Sequence, residues 1–329
     1  MTLKQAYNKR ADRTRWGAVC LAVLLFFTLA LMLRRSDVAA SCMREGLSLS
    51  ARAVVPSLFP FMVLSELLVE SGTGEWLAIP LERLLGRVLG LSRSGCCAVV
   101  LGLICGFPVG ARCAILSYRK GTIDQSECER VLACSSIPSS AFLISTIGTT
   151  LWENTSLGVF LYLSATFSAL SSGILLYVLQ KKKEINVREL AKPSPIKIQF
   201  AAGMLPSAIK NATLNTLLVC AYVVFFCTLT GTVELVLCRF AASETTHAIL
   251  SVILELSGGV SAAAKVQNRQ LAAILTGTAV GWSGISVHCQ MLSLCDGHNL
   301  STRTYLKAKV VQTVLCALSM WIFYGFIAE

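Results

Sequence analysis

Long apolar stretches alternate with short charged blocks along almost the whole chain. Trp16 to Leu33 is a run of 18 residues without a charge, and Leu157 to Gln180 is a run of 24. A helix that crosses a hydrocarbon core of ~30 Å needs about 20 mostly apolar residues. The pattern therefore predicts an all-α, polytopic membrane protein. Its apolar stretches lie near residues 16–33, 53–70, 76–91, 95–118, 129–150, 157–180, 213–238, 246–264, 270–295 and 308–327.

Several of these stretches are interrupted by glycine, proline or small polar residues, in the same order in both halves. The order is an apolar helix, a glycine-interrupted helix, and a segment broken by small polar residues. The second and third members are Gly102–Gly110 and Ser135–Ser140, then Gly258–Gly259 and Gly281–Ser286. Residue identity between the halves is weak, but paired interruptions are the sequence pointer to a transporter site. We therefore predict an internal repeat of broken helices.

The longest polar stretch, Lys181 to Lys197, is the natural linker between the two halves. Segment 76–91 carries Glu82, Arg83 and Arg87, which favours a peripheral or interfacial helix over a span. The predicted organisation is a basic N-terminal segment with the first transmembrane helix (1–52), a first half (53–180), a basic cytoplasmic linker (181–198), and a second half with the last transmembrane helix (199–329).

The composition indicates that most of the protein is surrounded by lipid and not by water, because 54% of residues are hydrophobic and only 14% are charged. The net charge of +11 sits in short blocks between apolar stretches, so it predicts membrane topology and not nucleic-acid binding. The 14 cysteines include no CxxC pair and are expected to be small buried hydrophobes.

The segment from Gly106 to Arg112 is the first candidate site. Proline frees a backbone carbonyl within a helix, and a half-helix N-terminus next to a guanidinium suits a carboxylate or phosphate. Placing the charged Arg112 side chain at the middle of the bilayer would cost ~2.5 to 3.5 kcal/mol of insertion free energy. Arg112 is therefore either functional or reaches a nearby interface. The alternative for the glycines is a packing groove with a tolerated kink.

Polar residues around Pro138, Glu255 and His288 are the other candidates. The serines around Pro138 predict a re-entrant hairpin tip or, alternatively, a polar loop between two short helices. Glu255 and Glu66 are candidates for a coupling cation or a proton, the alternative being interface-facing carboxylates. His288 could bind solute, relay a proton or be purely structural. The predicted substrate-binding residues are Gly106, Phe107, Pro108, Gly110, Arg112, Ser135, Ser136, Pro138, Ser139, Ser140, Ser257, Gly258, Gly259, Trp282, Ser283, Gly284, Ser286, His288 and Gln290.

Sequence signatures of an enzyme are weaker than those of a transporter. The cluster His288, Cys289, Cys295, Asp296 and His298 matches no zinc spacing, and the chain has no phosphate-binding glycine loop or nucleophile elbow. We expect no enzyme, no metal and no cofactor.

Four stretches resemble the YlbJ-type sporulation integral membrane proteins, whose gate segments are shared with nucleoside transporters and the FeoB membrane domain. They are LFPFMVLSELL (58–68), CGFPVGAR (105–112), SSIPSSAF (135–142) and GWSGISVHCQ (281–290). The resemblance implies two gate-like halves of helical hairpins and broken helices, as in concentrative nucleoside transporters. It also implies a bacterial cell membrane, including the membrane around the forespore, and a solute such as dipicolinate.

The functional hypothesis is a transporter of a small anionic solute that works by alternating access. The expected partners are the lipid bilayer, that solute, a coupling cation or proton and, in a homo-oligomer, further copies of the chain. The alternative from another class is a non-transporting membrane scaffold that recruits sporulation proteins through its basic linker.

Overall fold

The computed structural model describes residues 25–181, 198–239 and 243–327, together with helical positions 19, 22 and 23. All regular structure in this part of the chain is helical, so the prediction of an all-α, polytopic membrane protein is confirmed. The basic blocks predicted at the N-terminus and in the linker fall mostly outside the described residues.

Within the described ranges, four helices are long and apolar enough to cross a membrane: Thr155–Gln180, Met204–Val236, Arg269–Cys295 and Thr302–Tyr324. A fifth is counted if Glu75–Leu89 and Arg93–Cys105, which meet at a bend of 102°, form one span. The ten apolar stretches are therefore not ten simple spans, because several are folded back or broken.

The first half contains a helical hairpin, a broken helix and a long closing helix. The arms of the first hairpin are Arg93–Cys105 and Val109–Arg119, the broken helix is Gln125–Cys134 followed by a π-helical segment Phe142–Leu151, and the first closing helix is Thr155–Lys181. Before them lie helices Leu25–Arg34, Ser36–Leu49, Val55–Ser71 and Glu75–Leu89, with a π-helical turn, Ser50–Val54, joining the second to the third.

The second half repeats this order of elements. Helix Met204–Arg239 precedes the second hairpin, whose arms are Glu244–Leu254 and Leu256–Ala264. A broken helix, Arg269–Trp282 and Gly284–Cys295, and the second closing helix, Thr302–Ile327, follow. Side chains of Ser243 and Asn268 cap the first arm and the broken helix, which is why these elements begin there.

Glycine contacts show that both hairpins reverse the chain. A Cβ on Gly102 would lie 3.0 Å from the Cα of Gly110, and one on Gly259 would lie 2.7 Å from the Cα of Val252. Residues seven or eight positions apart in a straight helix are separated by roughly 10 to 12 Å. The close approach therefore requires antiparallel arms in each hairpin.

The reversal in the first half is not at the serine segment, where a re-entrant tip was one of the two expectations. The helices on either side of Pro138, Gln125–Cys134 and Phe142–Leu151, do not pack along each other. Residues 135–139 instead form an unwound break between two short helices. The serines and Pro138 do interrupt the helix as predicted, but the turn itself is made at Gly106 to Pro108.

The second closing helix lies against both halves of the molecule and packs closely on the second broken helix. A Cβ on Gly281 would lie 2.5 Å from the Cα of Thr313, so only glycine permits this backbone approach. Near its start, Glu129 of the first broken helix accepts a hydrogen bond from the Ser301 N–H (2.9 Å). The helix is thus held at its N-terminus by a carboxylate of the other half, as the helix dipole favours.

Large apolar side chains cover the outward faces of the long helices. Phe167 and Leu217 are 63% and 59% exposed, and many neighbours on these helices are similarly open. Such a surface suits contact with lipid acyl chains and not with water.

Candidate functional site

The tip of the first hairpin packs directly on the break at residues 135–139, which we call the first break. The Phe107 N–H donates to the carbonyl of Ile137 (2.7 Å), and the Ser140 hydroxyl donates to the carbonyl of Ile104 (3.1 Å). Gly106 has φ +79°, and a Cβ there would lie 2.4 Å from the backbone nitrogen of Ser139. A glycine is required at this contact for both reasons.

Ser135 lies between the two arms of the first hairpin. Its side chain is fully buried, and a Cβ on Gly110 would lie 3.0 Å from its Oγ. Among the described residues this hydroxyl has no hydrogen-bond partner. A buried hydroxyl without a partner is costly, so Ser135 is a candidate ligand-binding residue.

The second arm of the first hairpin begins beside Ser135 without a side-chain cap. The N–H groups of Val109 and Arg112 bond to the carbonyls of Gly106 and Pro108, both at 3.0 Å. The first amides of a helix lack partners within it, so those of Gly110 and Ala111 are left for another acceptor. This helix start and Ser135 together form a small set of hydrogen-bond donors.

The tip of the second hairpin is a single residue, Glu255, and it packs on the second break at Ser283. A Cβ on Gly284 would lie 2.8 Å from the Cα of Glu255, and Gly284 has φ +78°. The indole N–H of Trp282 donates to the carbonyl of Ile253 (3.1 Å). Both halves therefore place a hairpin tip on the break of the helix that follows it.

Glu255 caps its own hairpin. Its Oε2 accepts a hydrogen bond from the N–H of Gly258 (2.6 Å), so the carboxylate stabilises the start of the second arm. The residue is buried, and its hydrogen-bond partners belong to residues 256–258 of the same tip. Predicted residues Ser257, Gly258 and Gly259 form the first turn of this arm.

Ser283 occupies the left-handed region, with φ +70°, a conformation that is uncommon for a residue other than glycine. Its hydroxyl donates to the carbonyl of Val280 (3.1 Å) and accepts a hydrogen bond from the Lys309 ammonium (2.9 Å). Backbone strain of this kind is concentrated at functional sites and needs surrounding contacts to hold it.

Lys309 of the second closing helix joins the two breaks. Its Nζ donates to the carbonyl of Ser136 (2.6 Å) in the first break and to Ser283 in the second. The side chain is fully buried. One turn further, Gln312 donates to the carbonyl of Ala133 (2.8 Å). Sequence reasoning missed both residues, although an ionisable group in an apolar helix is itself a signal of function.

The polar residues after the second break are mostly paired with one another. His288 Nδ1 lies 2.9 Å from the hydroxyl of Tyr305, and its ring meets the Trp282 ring edge-on at 4.3 Å. The amide of Gln290 donates to the hydroxyl of Ser286 (3.3 Å). His288 Nε2 is buried and has no partner among the described residues.

Arg112 and Glu66, predicted separately for an anion and for a cation or proton, form an ion pair. Arg112 Nη2 lies 3.0 Å from Glu66 Oε2, and the amide of Asn211 donates to Glu66 Oε1 (2.6 Å). This contact ties the first hairpin to helices Val55–Ser71 and Met204–Arg239. The other predicted site residues thus gather at two tip-and-break contacts joined by Lys309, and this pair forms a separate contact.

Two further features lie away from these contacts. Within the described ranges, no three His, Cys, Asp or Glu side chains come together in a way that could hold a metal ion. A cavity of about 340 Å³ at the ends of the closing helices contains none of the predicted site residues; it is lined by Leu151, Trp152, Glu153, Asn154, Leu157, Arg269, Phe323 and Tyr324.

The fold and the site define a multi-pass, α-helical membrane protein with two hairpins and two broken helices. No protein-family model matches the chain, and no solved structure matches it. The chain is similar to the sporulation integral membrane protein YlbJ of Bacillus subtilis (strain 168). The two are 20% identical over 337 aligned positions, which cover 92% of this chain and 81% of that protein. The resemblance to YlbJ-type proteins is confirmed.

Proposed function

We propose that this protein is an integral membrane carrier that moves a small anionic solute during spore formation, and that it is not an enzyme. The similarity to a sporulation integral membrane protein supports the cellular role. Dipicolinate, a dianion, is the candidate solute that the resemblance to YlbJ-type proteins implies. The nucleoside-transporter-like gate architecture is part of the same proposal, as is a location in the membrane around the forespore.

The observation that carries the proposal is the pairing of each hairpin tip with a helix break. Carriers bind solute where discontinuous helices expose backbone groups, and half-helix N-termini favour anions there. The first hairpin has such an N-terminus next to Ser135, whose hydroxyl is buried and unpaired among the described residues. The second hairpin has a similar N-terminus, but Glu255 already fills it.

In this mechanism, a carboxylate of the solute accepts hydrogen bonds from the amides of Gly110 and Ala111 and from Ser135. The positive charge of Lys309, bonded to the neighbouring Ser136, adds electrostatic attraction. Alternating access follows if the hairpins and breaks of the two halves move against each other around this point.

The test is uptake of labelled dipicolinate by proteoliposomes that contain the purified full-length chain. Replacement of Ser135 with alanine removes one hydrogen bond to the anion, worth roughly 1 to 1.5 kcal/mol, and we expect KM to rise about tenfold. Thermal stability should be unchanged or slightly higher, because an unpaired buried hydroxyl is removed.

Ser168→Ala is the matched control. Ser168 is a buried serine of the first closing helix. Its hydroxyl donates to the carbonyl of Ala165 (2.8 Å) and lies 3.2 Å from the Cys316 thiol, and neither partner belongs to a hairpin tip. Its KM should stay near that of the wild type. A Ser135→Ala variant with unchanged KM would remove the first break from solute binding. If the wild type takes up no dipicolinate or other small dicarboxylate, the scaffold alternative becomes the better hypothesis.

A further inference from the structure

The Lys309 Nζ lies between two oxygen acceptors, one at each helix break. Its two acceptors are the Ser136 carbonyl, which the first helix break exposes, and the Ser283 hydroxyl at the second break. Carbonyl and hydroxyl oxygens at helix breaks are also the ligands that coordinate Na⁺ in carriers with discontinuous helices. The position is therefore built for a cation, and Lys309 fills it from within the chain.

The Lys309 amine is a donor to both of its oxygen partners. The distance from Nζ to the Ser136 carbonyl oxygen is 2.6 Å, and that to the Ser283 hydroxyl oxygen is 2.9 Å. Because the Ser283 hydroxyl donates its proton to Val280, it is an acceptor towards Lys309. Both partners thus present lone pairs to the ammonium.

No described carboxylate compensates this charge. The ion pairs found in the described part of the chain are Arg35–Asp37, Arg93–Glu82 and Arg112–Glu66, and the Lys309 side chain is 0% exposed. Removing an ammonium from water is expensive unless oxygen ligands or an anion offset the cost. A lysine kept in such a place is a functional residue by default.

We propose that Lys309 is a built-in cation that takes the place of a coupling ion between the two helix breaks, so that the carrier works without Na⁺. The statement about solute movement rests on the proposed function, whereas the statement about the cation position stands on the contacts of Lys309 alone. The ammonium cannot dissociate from the chain, so it fastens the two halves in this state and must exchange partners when they move apart.

The first test measures the thermal midpoint of the purified full-length protein in detergent. The wild type should show the same Tm in NaCl and in choline chloride at equal concentration. Lys309→Ala should lower Tm by on the order of 5 °C, because it leaves a buried void lined by the two acceptors. Propylammonium chloride replaces the atoms that were removed, and it should restore at least half of the loss.

Two controls separate charge from packing. The uncharged alcohol 1-propanol has similar size and should rescue Lys309→Ala much less than propylammonium does. Lys309→Met fills the void without a charge, so neither additive should raise its Tm. A Na⁺-specific rise in the Tm of the wild type would overturn the proposal, as would equal rescue by propanol. The wild-type measurement decides the point even if Lys309→Ala does not fold.

The second test compares dipicolinate uptake by wild-type proteoliposomes in Na⁺ and in choline media. Equal initial rates are expected. Uptake that needs Na⁺ would overturn the role of Lys309 and leave the carrier function in place. If neither medium supports uptake but propylammonium still rescues Lys309→Ala, the cation position stands and the carrier function fails.

Discussion

The two hairpin tips have the same position relative to their breaks but opposite chemistry. The first tip, Gly106 to Pro108, carries no charge, and the helix that follows it begins without a side-chain cap. The start of this helix lies beside the Ser135 hydroxyl, which has no hydrogen-bond partner in the described part of the chain. The second tip is a carboxylate, Glu255, that already caps the helix following it. The first tip therefore leaves donors for an external anion, whereas the second is satisfied by its own side chain.

The two helix breaks also differ from each other, in length and in the group that contacts Lys309. The first break unwinds residues 135–139, while the second is confined to Ser283 in a left-handed conformation. Lys309 contacts a backbone carbonyl in the first and a side-chain hydroxyl in the second. The lesson is that repeated architecture does not imply repeated chemistry: under the proposed function, the first half binds solute and the second half holds its own geometry fixed.

Among the variants that test this difference between the tips, Gly106→Ala is expected to have the largest effect on stability. A Cβ would lie 2.4 Å from the Ser139 nitrogen, and φ is +79°, so the tip and the first break cannot both keep their positions. We expect a loss of at least ~2 kcal/mol in stability and a Tm lower by about 5 °C or more. Thermal unfolding in detergent measures this.

Gly258→Ala in the second hairpin is the matched control. The nearest atom to an added Cβ there is Glu255 Oε2 at 3.4 Å, which is ordinary contact, and the residue is helical. Its Tm should be unchanged or higher, since alanine is favoured over glycine in a helix by up to ~1 kcal/mol. An equal loss of Tm in Gly106→Ala and Gly258→Ala would show that the first tip does not need its glycine more than the second hairpin does.

A smaller effect is expected at the ion pair that anchors the first hairpin. Arg112→Gln leaves Glu66, which is 5% exposed, without its cation. We expect a loss of about 2 kcal/mol in stability, less than for a fully buried pair, because Arg112 itself is partly open to solvent. If the pair is structural, the double variant Arg112→Gln with Glu66→Gln should recover most of the lost Tm and of the dipicolinate uptake.

The double variant also tests the original hypothesis that Arg112 binds the solute. Recovery of stability without recovery of uptake would assign the guanidinium to solute binding. A double-mutant cycle with both readouts therefore separates the two roles.

The smallest effect is expected for Glu255→Gln, which sharpens the contrast between the tips. The amide oxygen can still accept the Gly258 N–H, so only the charge at the helix N-terminus is lost, worth roughly 0.5 to 1 kcal/mol. Uptake should stay independent of Na⁺ and should keep the wild-type response to a pH gradient. A change in either dependence in proteoliposomes would return Glu255 to the role of a coupling residue.

Much of the fold could be predicted because the signals are local. Apolar length predicts helices in lipid, and Pro108 and Pro138 lie where these helices are interrupted, whereas Pro60 and Pro80 lie inside helices. Which interruption becomes a hairpin and which a break could not be predicted. Gly106 supplies the left-handed turn that reverses the chain, whereas the arms around Pro138 meet other helices and not each other.

The sequence by itself determined a polytopic helical protein with interruptions in both halves, because hydropathy and helix-breaking residues act over a few turns of chain. The tertiary structure alone decided which charged groups matter. Lys307 and Lys309 look alike at the start of an apolar stretch, yet Lys307 is exposed and Lys309 is fully buried. Two positions along a helix turn a side chain by about 200°, so only packing shows which lysine faces the breaks.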